Sequence, residues 1–280
     1  MAEEAQKKDK GEQARPILKW AGGKTQMLGE ILPKVPSAYG KYIEPFLGGG
    51  ALFFALHPKK AVISDSNPEL INVYRQVACH PEEVIRFLKQ YENTKEFFYH
   101  IREQDWETLP EAEAAARTIF LNKTCFNGLY RVNKKGLFNV PIGLYKKPLI
   151  CDEKNLRAVS EKLQNVTIVC GDYRKSADFI DENTFVYFDP PYRPITDTAS
   201  FTAYTKNLFN DEEQIELAKF VDDMHRKGAK IVISNSDPKN SNTEDDFFDN
   251  IYSCYKIKRV EATRMINCNS EARGKIKELL

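Results

Sequence analysis

The chain lacks most of what would place it in a membrane, on a secretion route or around a metal. No apolar run approaches the roughly 18 residues of a transmembrane helix, so no membrane contact is expected. Met1 to Arg15 is polar and charged and has no apolar signal stretch, so it reads as a disordered lead-in. Histidine is scarce and scattered (His57, His80, His100, His225). The six cysteines (Cys79, Cys125, Cys151, Cys170, Cys254, Cys268) form no C-x-x-C pair. No metal site is assigned, and the cysteines read as reduced thiols of a cytosolic protein. An excess of one charge is also missing: 41 Lys and Arg face 40 Asp and Glu. A neutral total excludes nothing, because it can hide a local basic face.

Two familiar nucleotide motifs are incomplete. Gly23-Lys24-Thr25 mimics the end of a phosphate-binding P-loop, but Leu18 stands where its first glycine belongs. No apolar strand leads into it either, which excludes the NTPase reading. What remains from Lys19 to Thr25 is an exposed loop with a cation and the Trp20 ring, which could be an aromatic plate or a core residue. Gly48-Gly49-Gly50 falls short of G-x-G-x-x-G.

What is present is a globular α/β pattern. Apolar residues make up 42% of the 280 residues and aromatics 11%, ample for a packed core. Lys41 to Phe46 reads as a strand, Gly48 to Gly50 as a tight loop, and Ala51 to Leu56 as the opening of a helix. Ala61 to Ser64 is a second strand ending at Asp65. Residues 68–122 are mostly helical, with Pro81 opening one helix and strong helix formers from Glu111 to Leu121. Residues 123–150 are rich in Gly, Asn and Lys without a clear period, which suits loops with room for a hairpin. Strands return at Val166 to Val169 and Thr184 to Phe188. A helix runs from Asp211, read as its N-cap, to Lys227, stopped by Gly228. Further strands are expected at Lys230 to Ser234 and Ile251 to Lys258. Strands alternating with helices imply a mostly parallel, covered sheet, and the middle block interrupts that alternation. The expected division is a lead-in at 1–15, an α/β domain at 16–74 and 155–280, and an inserted domain at 75–154.

The strand ends carry the chemistry. Asp189-Pro190-Pro191-Tyr192 follows the apolar run Thr184 to Phe188. The prolines fix φ and stiffen the loop, and they bias Asp189 and Pro190 toward extended backbone. The Asp189 side chain and the Pro190 carbonyl can then offer two acceptors to one exocyclic NH₂, with Tyr192 stacking on its ring. A strand-to-loop turn without chemistry would have the same composition. The strand-loop-helix from Glu44 to Phe54 puts Gly48 where backbone meets a ligand, and Asp65 where an acid can bind ribose hydroxyls. Asp172 could meet an adenine amino group or be a surface acid. A nicotinamide dehydrogenase would share the glycine loop but gives no account of Asp189 to Tyr192.

Between Ala114 and Cys151 stand Arg117, Lys123, Arg131, Lys134, Lys135, Lys146 and Lys147, with no acid among them. Phe120, Phe126, Tyr130, Phe138 and Tyr145 are interleaved. Such a stretch suits phosphate contact and insertion between base steps, or a solvated loop beside a core.

Taken in order, the motifs resemble the DNA adenine-N6 methyltransferases of the Dam/DpnII group, alpha class. They are Lys19-Trp20-Ala21-Gly22-Gly23-Lys24, Glu44 to Gly50, Asn127 to Asn133, Phe138 to Pro141, Asp189 to Tyr192, Phe201-Thr202-Ala203-Tyr204 and Ile233-Ser234-Asn235. The resemblance runs from residue 16 to near the end. It implies a Rossmann-like mixed sheet that binds S-adenosylmethionine (SAM), with an inserted, mainly helical target-recognition domain. By motif match Trp20, Lys24, Glu44, Phe46, Gly48, Asp65, Asp172 and Asp189 would line the cofactor pocket. Asp189, Pro190, Pro191 and Tyr192 would hold the flipped adenine. The implied partner is double-stranded DNA containing GATC. Arg131 would read a guanine, Lys19 the first guanine, and Leu129 and Pro141 the thymine methyl. Asn127 and Tyr145 would help hold the flipped site, Asn133 would also contact the DNA, and Phe126 would wedge a base step where the enterobacterial enzyme has tyrosine. The expected location is a bacterial or phage cytoplasm, at the nucleoid, alone or beside a restriction endonuclease; a monomer is expected, with the oligomeric state left open. The end at Leu279-Leu280 leads to the expectation of a short last strand. The weaker alternatives are methylation of cytosine N4 or a glutamine, and an inactive DNA binder.

Overall fold

The computed structural model describes residues 14–193, 209–263 and 275–280. The motif at Phe201 to Tyr204, Cys268 and most of the expected lead-in lie outside these residues. At the lead-in's end the expectation fails: the Arg15 N–H donates to Asn155 Oδ1 and its guanidinium pairs with Asp152 at 2.7 Å.

Short helical turns at Lys24–Met27 and α1 (Leu28–Ile31) precede β1 (Lys41–Glu44). Then come α2 (Ala51–Leu56), β2 (Ala61–Asp65), α3 (Pro68–Cys79), α4 (Pro81–Leu88), α5 (Lys95–Glu103) and α6 (Glu111–Thr124). After an irregular stretch follow α7 (Glu153–Leu163), β3 (Val166–Cys170), β4 (Thr184–Phe188), α8 (Asp211–Arg226) and β5 (Lys230–Ile233). The described chain closes with β6 (Asn235–Ser236), α9 (Phe247–Ile251), β7 (Arg259–Thr263) and β8 (Lys275–Leu279).

Five strands form a central sheet in the order β3-β2-β1-β4-β5, every described pair parallel. β4 is buried along its whole length, which explains why it reads as an unbroken apolar run. A separate three-stranded antiparallel sheet, β6-β8-β7, adjoins it. The five-residue β8 pairs on both sides, with β6 and β7. One core cluster joins the inner sheet face to α3, α4, α5, α6 and α7, and a second packs α8 and α9 on the other face. Position 75 falls inside α3, so the expected start of the insertion is mid-helix.

Two boundaries differ from the sequence reading. Asn210, not Asp211, caps α8: its side chain accepts the Glu213 N–H at 3.0 Å. Ile251 to Lys258 is not a strand. The Tyr252 and Ser253 N–H groups turn back to the Phe248 and Asn250 carbonyls of α9, Tyr255 donates to Tyr252 in a following turn, and Tyr252 packs into the second core cluster. The strand begins only at Arg259. In residues 125–150, antiparallel bridges join Cys125 to Ile142 and Val132 to Phe138, which supplies the hairpin character.

Candidate active site

The sheet order reverses between β1 and β4. Ligands of open parallel sheets bind at such a switch point, outside the carboxyl ends of the strands. Four neighbouring strands end in acids there: Glu44 on β1, Asp65 on β2, Asp172 just after β3 and Asp189 just after β4.

Glu44 is 2% exposed, and the Tyr42 hydroxyl donates to its Oε2 at 2.8 Å. Burial pushes its carboxyl up to about 8; the charge of Asp189 adds to this, while the Tyr42 hydrogen bond and Lys24 oppose it. The folded value lies above the unfolded 4.5, so the neutral form favours folding. That contribution is complete below pH 4.5 and fades as pH rises toward about 8. Glu44→Gln should therefore gain stability relative to the wild type as pH climbs through that window. Thermal unfolding of both proteins against pH checks it; a gap independent of pH would refute the assignment.

Asp65 pins the glycine loop. Its Oδ2 accepts the Gly48 N–H at 3.0 Å and its Oδ1 the Asn67 N–H at 2.9 Å. Gly48 has φ +49, and a Cβ there would lie 2.7 Å from Trp20 Cδ1, so no side chain fits. Trp20 is half-buried and stacks on Tyr130 with ring centroids 5.0 Å apart. Phe46 is half-buried beside Tyr173 and Phe209. Asp172 is exposed and caps the turn at Tyr173–Phe179, accepting the Arg174 N–H at 2.9 Å and pairing with its guanidinium.

The loop from Asp189 is pinned residue by residue. Lys24 Nζ pairs with Asp189 Oδ1 at 2.7 Å, and Ser234 Oγ donates to the same oxygen at 2.9 Å. Burial raises the Asp189 carboxyl, while Lys24 and Ser234 pull it down. The buried Gln214 donates to the Pro191 carbonyl at 3.0 Å and is itself held by Asn235 Nδ2 at 3.1 Å. The Tyr192 hydroxyl donates to Glu278 Oε2 at 2.5 Å, and Lys24 Nζ lies 4.6 Å from the Tyr192 ring centroid. Just beyond, Arg193 grips Asp211 with two hydrogen bonds and Asp245 with a third. Lys24 thus meets Asp189 and Tyr192 directly, and is 4% exposed.

A second group of expected residues meets on the irregular stretch. Asn122 clamps Lys19 through both backbone groups, at 2.8 and 2.7 Å, and also donates to the Gly128 carbonyl. Gly128 has φ +65, and a Cβ there would strike Lys19 Cδ at 2.5 Å. Asn127 takes the left-handed conformation beside it, and Lys19 Nζ lies 4.8 Å from the Tyr145 ring centroid. Phe126 is 49% exposed, its N–H held by the carbonyl of the exposed Pro141. Leu129 is half-buried. Arg131 is exposed, and its Nε donates to Asn139 Oδ1 at 2.7 Å. Asn133 Oδ1 closes the turn by accepting the Lys135 and Leu137 N–H groups.

The basic aromatic stretch is narrower than its composition implies. Arg117 is 1% exposed and pairs with Glu69 inside the helical layer. Phe120, Tyr130 and Phe138 are core residues, so none can insert between bases. Helical periodicity turns Arg117 and Phe120 inward on α6. Lys123 is half-buried, which lowers its pKa.

Sequence reasoning gave no role to Asn122, Tyr187, Gln214, Ser234 or Glu278. Only Ser234 and Asn235, at a strand's carboxyl end within a quoted motif, carried a local signal. No group of three His, Cys, Asp or Glu able to hold a metal occurs among the described residues, and no described helix is long and apolar enough to cross a membrane.

A family model, the D12 class N6 adenine-specific DNA methyltransferases, matches residues 20–266. The chain is 46% identical to the type II methyltransferase M.MjaIII of Methanocaldococcus jannaschii, covering 93% of this chain and 96% of that one. It is 36% identical to the DNA adenine methylase of Haemophilus influenzae, over 95% and 92% of the two chains. It is 34% identical to the DNA adenine methylase of Escherichia coli K12, over 95% and 94%. The chain therefore belongs to the D12 class of N6 adenine-specific DNA methyltransferases.

Proposed function

We propose that the methyl donor is SAM and that the target is the adenine of duplex GATC, swung out of the helix into the crevice beside Asp189. One observation carries the reading. Asp189 Oδ1 is taken by Lys24 and Ser234, and the Pro191 carbonyl by Gln214. Asp189 Oδ2 and the Pro190 carbonyl have no hydrogen-bond partner among the described residues. Those two acceptors match the two hydrogens of one exocyclic amine.

The acid-lined crevice suits a cationic donor. Asp65 and Asp172 would accept its hydroxyl and amino groups, Phe46 would cover its apolar part, and the glycine loop would lie against it. Trp20 supports that loop. When bound, the donor supplies an electrophilic methyl group.

The adenine amine is a weak nucleophile because its lone pair is shared with the ring, and a stacked base is out of reach. Tyr192, held by Glu278, offers the extruded base a stacking face. Hydrogen bonds from the amine to Asp189 and Pro190 favour a pyramidal nitrogen. Asp189 also stabilises the positive charge that grows on it. Pro190 and Pro191 keep the acceptors in place without induced movement. The helices α4 to α6 and residues 125–150 would form the target-reading insertion within 75–154. Lys19, Phe126, Asn127, Leu129, Arg131, Asn133, Pro141 and Tyr145 would face the DNA.

Tritiated methyl transfer from SAM to duplexes containing GATC, GTTC or GACC tests the reading. Label on GATC alone, recovered as N6-methyladenine, is expected. Equal label on all three would leave the chemistry standing and overturn the target.

Arg131 should carry part of that discrimination. A bidentate arginine–guanine contact is worth about 1–3 kcal/mol against a wrong base. Arg131→Ala should narrow the ratio of kcat/KM between GATC and a site altered at one guanine by roughly 10- to 100-fold. An unchanged ratio would remove Arg131 from recognition.

A further inference from the structure

Ser234 is fixed beside Asp189 by the sheet itself: its N–H donates to the carbonyl of Phe188, extending the β4–β5 ladder, at 2.9 Å. Its hydroxyl is wholly buried and donates to Asp189 Oδ1 at 2.9 Å. On its other side lies the Tyr187 hydroxyl, also buried, at 2.9 Å. Serine has one hydroxyl proton, and Asp189 takes it. The Tyr187 O–H must then donate to Ser234, so the chain of hydrogen bonds runs one way, from Tyr187 through Ser234 to Asp189.

A carboxylate has two equivalent oxygens on a soft, roughly two-fold torsion. Either could turn toward a substrate unless something distinguishes them. We propose that Ser234, backed by Tyr187, is a positioning residue that anchors Asp189 Oδ1 and so presents Oδ2 to the target amine. This rests on Asp189 being the amine's acceptor. The hydroxyl of Ser234 belongs to the rigid sheet and is oriented by a second buried hydroxyl. It therefore holds the carboxylate plane more firmly than the long side chain of Lys24 can alone.

The titratable groups facing Asp189 are Lys24 from the first helical turn, Glu44 on β1, Tyr187 on β4 and Tyr192 on its own loop, with Glu278 of β8 beyond Tyr192. Among these donors and charges, the Ser234 hydrogen bond lowers the Asp189 pKa, so its removal shifts ionisation to higher pH. A protonated carboxyl is a poorer acceptor for an amine, so the acid limb of kcat should follow.

The test uses Ser234→Ala, the double variant Ser234→Ala/Tyr187→Phe, and Asp189→Ala. Single-turnover methylation is measured on a duplex that the wild type methylates. For Ser234→Ala, the rate should fall about 10- to 100-fold, the equivalent of one hydrogen bond to a charged group. DNA and SAM affinities should stay within about twofold, and the acid limb should move to higher pH. Replacing both buried partners by apolar groups can be nearly neutral for stability. The double variant should then regain thermal stability but not rate. A wild-type rate with an unmoved acid limb in Ser234→Ala would overturn the inference. So would a double variant that regains rate together with stability, since the hydroxyl would then serve packing alone. Activity in Asp189→Ala would instead overturn the acceptor reading itself. An inactive Asp189→Ala with an unaffected Ser234→Ala would sink only the role of Ser234.

Discussion

Asp189→Ala loses methyl transfer by roughly a thousandfold or more, the scale of removing a preorganised group aimed at developing charge. The variant removes the acceptor proposed for the amine and the negative charge that would face the nitrogen as it becomes positive. It should still fold: Lys24 keeps its hydrogen bond to the Gly22 carbonyl, and Pro191 and Tyr192 keep their anchors on Gln214 and Glu278. Asp189→Asn loses the charge, and its one oxygen stays with Lys24 and Ser234 while its NH₂ faces the amine, so its deficit should be of similar size. Tritium transfer measures the rates, and circular dichroism with DNA and SAM titrations separates chemistry from folding and binding. Near-normal turnover in Asp189→Ala would end the proposed mechanism.

Glu69→Ala destabilises the fold by about 3–5 kcal/mol, the cost of stranding a buried charge. Glu69 Oε1 accepts Arg117 Nη1 at 2.9 Å and the Thr118 hydroxyl at 2.6 Å, while Oε2 accepts the Tyr130 hydroxyl at 2.6 Å. Arg117 also donates to the carbonyls of Ile101 and Arg102. One carboxylate thus ties α3 to α6 and, through Arg117 and Tyr130, to the end of α5 and the irregular stretch. Without it the Arg117 guanidinium loses its counter-charge, and the Thr118 and Tyr130 hydroxyls each lose a hydrogen bond, at once. The melting temperature should drop by about 10 °C, read by thermal unfolding. Replacing both members with apolar residues, Glu69→Leu with Arg117→Met, should recover much of the loss. A drop below about 2 °C in Glu69→Ala would show that water reaches this site. The exposed pair Lys219–Glu216 is the control, since such pairs contribute about 0–1 kcal/mol.

The contrast between Arg117 and Arg131 marks where sequence reading stops. Both lie in the acid-free stretch, and composition cannot separate them. Arg117 sits on the inward face of a helix packed against Glu69, which lies far away in sequence. Arg131 sits on an irregular exposed stretch. The strands were readable because short apolar stretches recur, fully buried in β4 and mostly buried in β1 and β2, while the edge strand β3 keeps Val166, Ile168 and Val169 half-buried. Ile251 to Lys258 misled because its aromatics are apolar without extended pairing. The N-cap of α8 was misplaced by one residue because Asn210 and Asp211 are equally good caps.

The sequence alone determined the α/β alternation, the acids at the strand ends and the stiff acceptor loop at Asp189 to Tyr192. These are local properties, set by periodicity, by proline geometry and by motifs in chain order. Tertiary structure decided which acceptors are already occupied. Ser234, Gln214 and Glu278 reach one loop from β5's end, α8 and β8, and Lys24 reaches it from the other end of the chain. Which hydrogen-bonding groups remain for a substrate depends on those long-range partners. A buried polar group takes its partner from whatever the fold packs against it, and sequence spacing carries no record of that.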